Sequence, residues 1–225
     1  YPLILRVSNN PPHFQPRITN IKTLDFASLQ EYVNEHGEIA DQTCFEEDGW
    51  SLAGKQTQDL LAKIRQNSIP LGEYVNGKVY RGILTGLNKA FVIDQATKDR
   101  LIAEDPRSAE LIKPFAQGRD IKRYAQIPIK QYLILIPNGW TNQHRKGNAW
   151  NWFATQYPAI ARHLKQFEKE AIARGDKGDY WWELRACEYY DEFEKPKIVY
   201  PNILKQPEFT FDQTGIYTNQ KCFII

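Results

Sequence analysis

Methionine is absent from the sequence and cysteine is scarce. The three cysteines, Cys44, Cys187 and Cys222, are odd in number, far apart and never in C-x-x-C spacing, which leaves a disulfide framework or a zinc site without support. A reducing, cytoplasmic setting is expected. No apolar run approaches the roughly 20 residues of a membrane-spanning helix, and no basic, apolar and small-residue series of a signal peptide opens the chain. The four histidines (His13, His36, His144, His163) stand in no nucleophile-base pattern, and no G-x-x-x-x-G-K-S/T phosphate loop occurs. Asp94, Glu104 and Asp105 lack the D…E/D-x-K spacing of a common nuclease core. No catalytic, cofactor-binding or metal-ligating residue is assigned. A chain that begins at Tyr1 without methionine and closes on the strand-like Cys222-Phe-Ile-Ile225 is expected to be a segment of a longer protein.

The 225 residues suffice for one sizeable core, or for one domain and part of a neighbour. Net charge is only +2, but it is unevenly spread. From Thr23 to Gly54 there are eight acidic residues and no Lys or Arg. From Lys113 to Lys165 there are nine basic residues against one acid, Asp120, a local balance of +8. Such a stretch attracts a polyanion, and a duplex carrying a charge every ~1.7 Å of axis is the commonest one.

Tyr1 to Val7 reads as a buried strand that Ser8-Asn-Asn-Pro-Pro12 ends. Asn10-Pro11-Pro12 invites comparison with the N-P-P-Y/F loop that holds a flipped adenine. His13 stands at the fourth position, however, with Phe14 one place late, and only nine residues precede the motif. A strand-ending turn accounts for it. Asp25 to Asn34 has helical spacing, with Phe26, Leu29 and Val33 on one face, and an acid-rich loop to Gly49 follows. Ser51 is placed as the cap of a helix whose Leu60, Leu61 and Ile64 form a buried stripe, closed by Pro70. Thr97 to Glu104 and Ser108 to Ile112 read as short helices, and Gln131 to Pro137 as a central strand. Asn138 to Phe153, with Trp140, Trp150 and Trp152 beside His144-Arg-Lys146, has neither period and reads as a long loop. Tyr157 to Ala173 is the clearest amphipathic helix, with Ile160, Leu164 and Phe167 inward and His163 packed beside them. Lys195 to Pro201 and Glu208 to Asp212 are strands.

Arg81-Gly-Ile-Leu-Thr-Gly-Leu-Asn-Lys-Ala-Phe-Val-Ile-Asp94 places two glycines and several polar groups between β-branched runs, and reads as strand, tight loop, strand. With it stand Asp105-Pro-Arg-Ser-Ala-Glu-Leu-Ile-Lys-Pro114, Gly118-Arg-Asp-Ile-Lys-Arg-Tyr124, the Y-P-x-I-x-x-H-L run from Tyr157 to Leu164, W-x-L-R from Trp182 to Arg185, and Lys195-Pro-Lys-Ile-Val-Tyr-Pro201. Six patches in this order resemble the TaqI-like C-terminal specificity domain, the target-recognition domain of adenine-specific DNA methyltransferases and of restriction enzymes fused to them. The resemblance runs from about Trp50 to Ile225.

The fold it implies is α+β, a mixed or antiparallel sheet with flanking helices. Residues 1–49 would be the trailing segment of a preceding methyltransferase domain, 50–68 a connecting helix and 69–225 the recognition domain. The partner would be double-stranded DNA. S-adenosylmethionine would serve the catalytic domain elsewhere in the parent chain, which could also carry an endonuclease. Base reading is assigned to Thr85, Gly86, Asn88, Lys89 and Arg185, and phosphate contact to Arg119, Lys122, Arg123, Lys130, Lys146 and Lys177. Asp120 either orients an arginine or accepts from a cytosine amine. Trp182 is expected to be a packing post. The rival reading is a protein-interaction module whose basic face docks an acidic partner.

Overall fold

The computed structural model describes residues 16–40, 45–46 and 49–225. Asn10-Pro11-Pro12, the opening apolar run and Cys44 lie outside the described residues. The chain divides into two compact units, Tyr1–Tyr74 and Val75–Ile225.

In the first unit, β1 (Arg17–Ile18) pairs antiparallel with β2 (Glu38–Ile39), and β3 (Phe45–Glu46) with β4 (Gly49–Trp50). Between β1 and β2 lies α1 (Leu29–His36), which begins where the Ser28 hydroxyl accepts from the Glu31 amide. Helix α2 (Lys55–Gln66) starts after Gly54 rather than at Ser51, and α3 (Leu71–Tyr74) closes the unit. The expected stripe of α2 is on the right face but not buried: Leu60, Leu61 and Ile64 are all exposed. Helical spacing fixes which side chains share a face, whereas burial depends on what packs there.

The second unit holds the core, built on two four-stranded sheets. The first is mixed and runs, edge to edge, β11 (Tyr217–Thr218), β7 (Ile112–Ala116), β8 (Gln131–Ile134), β6 (Val92–Asp94), with β11 parallel to β7 and the other pairs antiparallel. The second is antiparallel: β10 (Thr210–Asp212), β9 (Lys197–Pro201), β12 (Cys222–Ile224), β5 (Tyr80–Arg81). This is the expected α+β construction. β8 is central, and Leu133 to Ile136 are buried because a strand covered on both faces carries apolar groups on both. Packed with the first sheet are α4 (Asn88–Phe91) and α5 (Gln95–Glu104); α8 (Pro158–Lys165) packs on both of these helices, α7 (Ala149–Gln156) on α8, and α6 (Trp140–His144) on α7.

Three expectations are corrected. Arg81 to Asp94 is not a hairpin: β5 and β6 belong to different sheets, and α4 lies between them. Asn138 to Phe153 is not a loop but contains α6 and most of α7, whose tryptophans pack on one another and on Tyr157, Trp181 and Trp182. The long helix is broken at Gln166–Phe167, whose amides bond three residues back, and resumes as α9 (Glu168–Ala173).

The chain crosses between the sheets four times, and two of the crossings, at residues 82–91 and 219–221, bond each other. Gly82 N donates to Cys222 O at 2.9 Å, Ile83 N to Thr218 O at 2.7 Å, and Gln220 N to Ile83 O at 3.0 Å. A Cβ on Gly82 would lie 2.0 Å from the Asn219 carbonyl oxygen and 2.7 Å from that of Thr218, so only glycine fits. Beneath α8, His163 is buried with Nε2 3.0 Å from Ala90 O, which requires that this nitrogen carry the proton and donate. Burial holds its pKa below 6.5.

Gly82→Ala should destabilise the second unit by about 3 kcal/mol, because backbone on both sides must move. Gly175→Ala, with open space around it, should be nearly neutral. Urea unfolding followed by tryptophan fluorescence checks both. As pH falls through 6.5 the unfolded chain takes up the His163 proton before the folded one does, so stability should decline from there toward the lower folded pKa. His163→Gln should remove that part of the slope in unfolding titrations at stepped pH.

Candidate nucleic-acid interface

Of the glycine-corner residues assigned to base reading, Thr85 is buried, while Gly86, Asn88 and Lys89 are exposed. Thr85 is 1% exposed; its hydroxyl donates to Asn88 Oδ1 at 2.6 Å and accepts from Leu87 N at 3.3 Å. The threonine thus organises the first turn of α4 and offers nothing to a base, a correction to its assignment. Gly86 has φ +68°, and a Cβ there would approach Asp176 O at 2.9 Å. Asn88 is exposed but its carbonyl is committed to Thr85, and Lys89 is ion-paired with Glu170 at 2.5 Å.

The corner is held by a residue that sequence reading passed over. Arg174, 7% exposed, donates to three carbonyls, those of Thr85, Trp181 and Glu183, and lies over the Phe91 ring at 4.4 Å. Burial lowers its pKa to about 10, so it remains a cation at neutral pH. Its signal was an arginine at a helix end before two glycines, which reads as a stop. Glu183, the variable position of W-x-L-R, is fully buried. Its carboxylate accepts from the amides of Gly139 (3.1 Å), Thr141 (2.9 Å) and Tyr180 (3.3 Å), so that a negative charge sits at the start of α6. Trp182 is the packing post expected, 3% exposed, with its indole nitrogen donating to Thr141 Oγ1.

Next to this frame lies a cleft of about 390 Å³, lined by Arg81, Ile83, Arg185, Glu188, Tyr189 and Gln220 among others. It brings Arg185 together with the first half of the glycine corner. Arg185 lies 3.3 Å from Asp176 with half of its side chain exposed, and Arg81 Nε donates to Gln220 O. On the far side of Gln220, the Lys221 carbonyl packs against Gly118, the residue before Arg119. The turn at residues 219–222 therefore separates the cleft from the segment running from Arg119 to Tyr124.

Much of the basic stretch is neutralised. Of its nine cations, five are paired: Lys113 with Glu194, Lys122 with Glu208, Lys130 with Asp120, Arg162 with Glu104 and Lys165 with Glu168. Four of those acids lie outside the stretch. Arg119, Arg123, Arg145 and Lys146 have no carboxylate partner among the described residues. Asp120 accepts from Gln117 N at 3.0 Å and meets Lys130 at 3.5 Å, so it orients a lysine, not an arginine. Lys177 is exposed, but its amine folds back to donate to Ile172 O and Arg174 O, which satisfies carbonyls at the end of α9 and leaves its phosphate role without support. Lys197 of K-P-K is buried, bonded to Asp212 and Phe193 O. Burial alone would raise the Asp212 carboxyl, yet bonds from Lys197 and Thr214 hold it below the usual range.

Two sheets stitched at one turn, with a cleft on one side of the stitch and exposed cations on the other, define an α+β domain of the target-recognition type. The chain belongs to the TaqI-like C-terminal specificity domain family, which matches residues 113–225. The glycine corner precedes the matched stretch. No curated protein matches the chain. Among solved structures it is similar to one described as the Type IIL restriction-modification enzyme MmeI in complex with DNA, at 10% identity and a TM-score of 0.44, covering 65% of this chain and 19% of that one.

Arg174→Met keeps the length of the side chain but strands three carbonyls. It should destabilise the second unit by roughly 3 kcal/mol and loosen the corner first. Hydrogen exchange should show Leu87 and Ala90 losing protection before the β7–β8 pair.

Proposed function

We propose that this chain is the DNA-recognition domain of a restriction-modification enzyme. The observation that carries the reading is that the Gln220–Lys221 turn is bordered on one side by a cleft holding Arg81 and Arg185 and on the other by the segment that bears Arg119 and Arg123. In this arrangement Arg119, Lys122, Arg123 and Lys221 meet phosphates and fix register, while Arg185, with Arg81 beside it, reads a base edge in the groove. The ion pairs of Lys122 and Lys130 do not prevent this. The side chains of Lys122 and Lys130 are 59% and 68% exposed, although Glu208 and Asp120 are largely covered, and an ammonium that stays in contact with water can exchange a carboxylate for a phosphate.

Family membership further supports a parent enzyme in which an adenine-specific, S-adenosylmethionine-dependent methyltransferase domain performs the chemistry in a reducing, cytoplasmic compartment. The role of this chain would then be to position duplex DNA for that domain. The exposed leucine and isoleucine face of α2 is the kind of surface that packs against a neighbouring domain.

The chain should bind duplex DNA with a log–log salt slope of about −3 to −4. Replacing both Arg119 and Arg123 with Ala should reduce that slope by about 2 and weaken all sequences alike. Replacing Arg185 in the parent enzyme should relax site choice, as read by sequencing modified sites, at about 1–3 kcal/mol of discrimination. Salt-independent affinity would overturn the phosphate assignment. Capture of an acidic protein with no DNA binding would favour the interaction module instead.

A further inference from the structure

Tyr124 is in the wrong place for a structural tyrosine. The Ala125 amide donates to Lys122 O, which closes a turn with Arg123 and Tyr124 at its two central positions. Tyr124 has φ +53°. A positive φ at the second central position is the signature of a turn that favours glycine or asparagine there, and a side chain with a ring is strained by it. The ring gains nothing in return from packing. It is 80% exposed, and its one ring contact among the described residues is the Arg123 guanidinium, 5.0 Å from the centroid.

The turn is nonetheless held firmly. Ile121 is fully buried just before it, Tyr124 N donates to Phe209 O at 2.9 Å, and Thr210 Oγ1 donates to Ala125 O at 2.6 Å. Strain that the surroundings enforce, at a side chain presented to solvent, is characteristic of functional positions. Around it stand Arg119, Lys122 and Arg123, the cations assigned to phosphates above.

We propose that Tyr124 is a base-stacking wedge: when those cations grip the backbone, its ring enters the duplex at one base step and stacks on a nucleobase. The assignment rests on the DNA-recognition reading and adds to it a deformation of the duplex. Opening a step is unfavourable, and least so where the base is already mispaired. A wedge therefore reveals itself as a preference for mismatched over fully paired duplex at equal charge.

The test uses the whole 225-residue chain and two duplexes of the same sequence, one with a central 2-aminopurine correctly paired and one with it mispaired. Wild type should favour the mispaired duplex by on the order of tenfold, with a change in 2-aminopurine fluorescence as the stacking around that base is altered. Tyr124→Ala should lose the preference and the fluorescence change while keeping the salt slope; Tyr124→Phe should keep all three. Tyr124→Gly should match or exceed the wild-type Tm, because the turn no longer holds a side chain at positive φ. A preference retained by the Ala variant, or a lower Tm for the Gly variant, overturns the wedge and leaves the domain reading intact. Binding of neither duplex by wild type overturns both.

Discussion

The second unit depends on two stretches of backbone bonding each other where each passes from one sheet to the other. Residues 82–83 and 218–222 exchange three hydrogen bonds, and the Gly82 Cα comes so close to the Asn219 carbonyl that no side chain can be accommodated. Two small sheets tied only by side-chain packing and by their longer connections would be freer to slide. The stitch removes that freedom at one point, and the cleft and the Arg119–Tyr124 segment adjoin that same point. A residue on either side is placed by backbone bonds, not by side-chain packing alone.

Around this stitch, buried charge does structural work in an unusual proportion. Arg174 is surrounded by carbonyls, Glu183 by amides, and Lys197 by Asp212 and a carbonyl. Each is a charge that would be strongly unfavourable in an apolar interior, and each is tolerated because its hydrogen-bonding capacity is mostly used. The consequence is specificity of arrangement. A carbonyl accepts an arginine only along its lone pairs, so Arg174 fixes the Thr85 corner against Trp181 and Glu183 more narrowly than a leucine would. Arg185, one residue beyond Leu184, inherits that placement.

Strands were legible where local chemistry decides. β8, β9, β10 and β12 follow from apolar runs bounded by proline and polar residues. The glycine corner misled because its apolar flanks satisfy a hairpin pattern. The decisive feature was the Thr85–Asn88 side-chain bond at the entry to a helical turn, and the pair is visible in the sequence as T-x-x-N. The tryptophan-rich helices were hidden for the opposite reason: aromatics around most of α7 blur the period that marks an amphipathic helix. The basic stretch shows a different limit. Counting along the chain reports local charge, but Glu104, Glu194 and Glu208 arrive from distant positions through the fold, and no local window contains them.

On the DNA-recognition reading proposed above, the distribution of charge that remains would let a few residues set orientation on DNA. Ion pairs such as Lys122–Glu208 lower the net positive charge of the segment, so its long-range attraction for a polyanion is moderated. As a phosphate approaches within the ~10 Å over which charges are felt at ordinary salt, the lysine can exchange partners, but Glu208 is left behind, and its repulsion penalises any pose that places a second phosphate there. Arg119 and Arg123 carry no such restriction. Unpaired arginines thus select where the backbone may lie, and paired lysines limit where it may not. Attraction and exclusion together define a register that neither a uniformly basic surface nor a neutral one could impose.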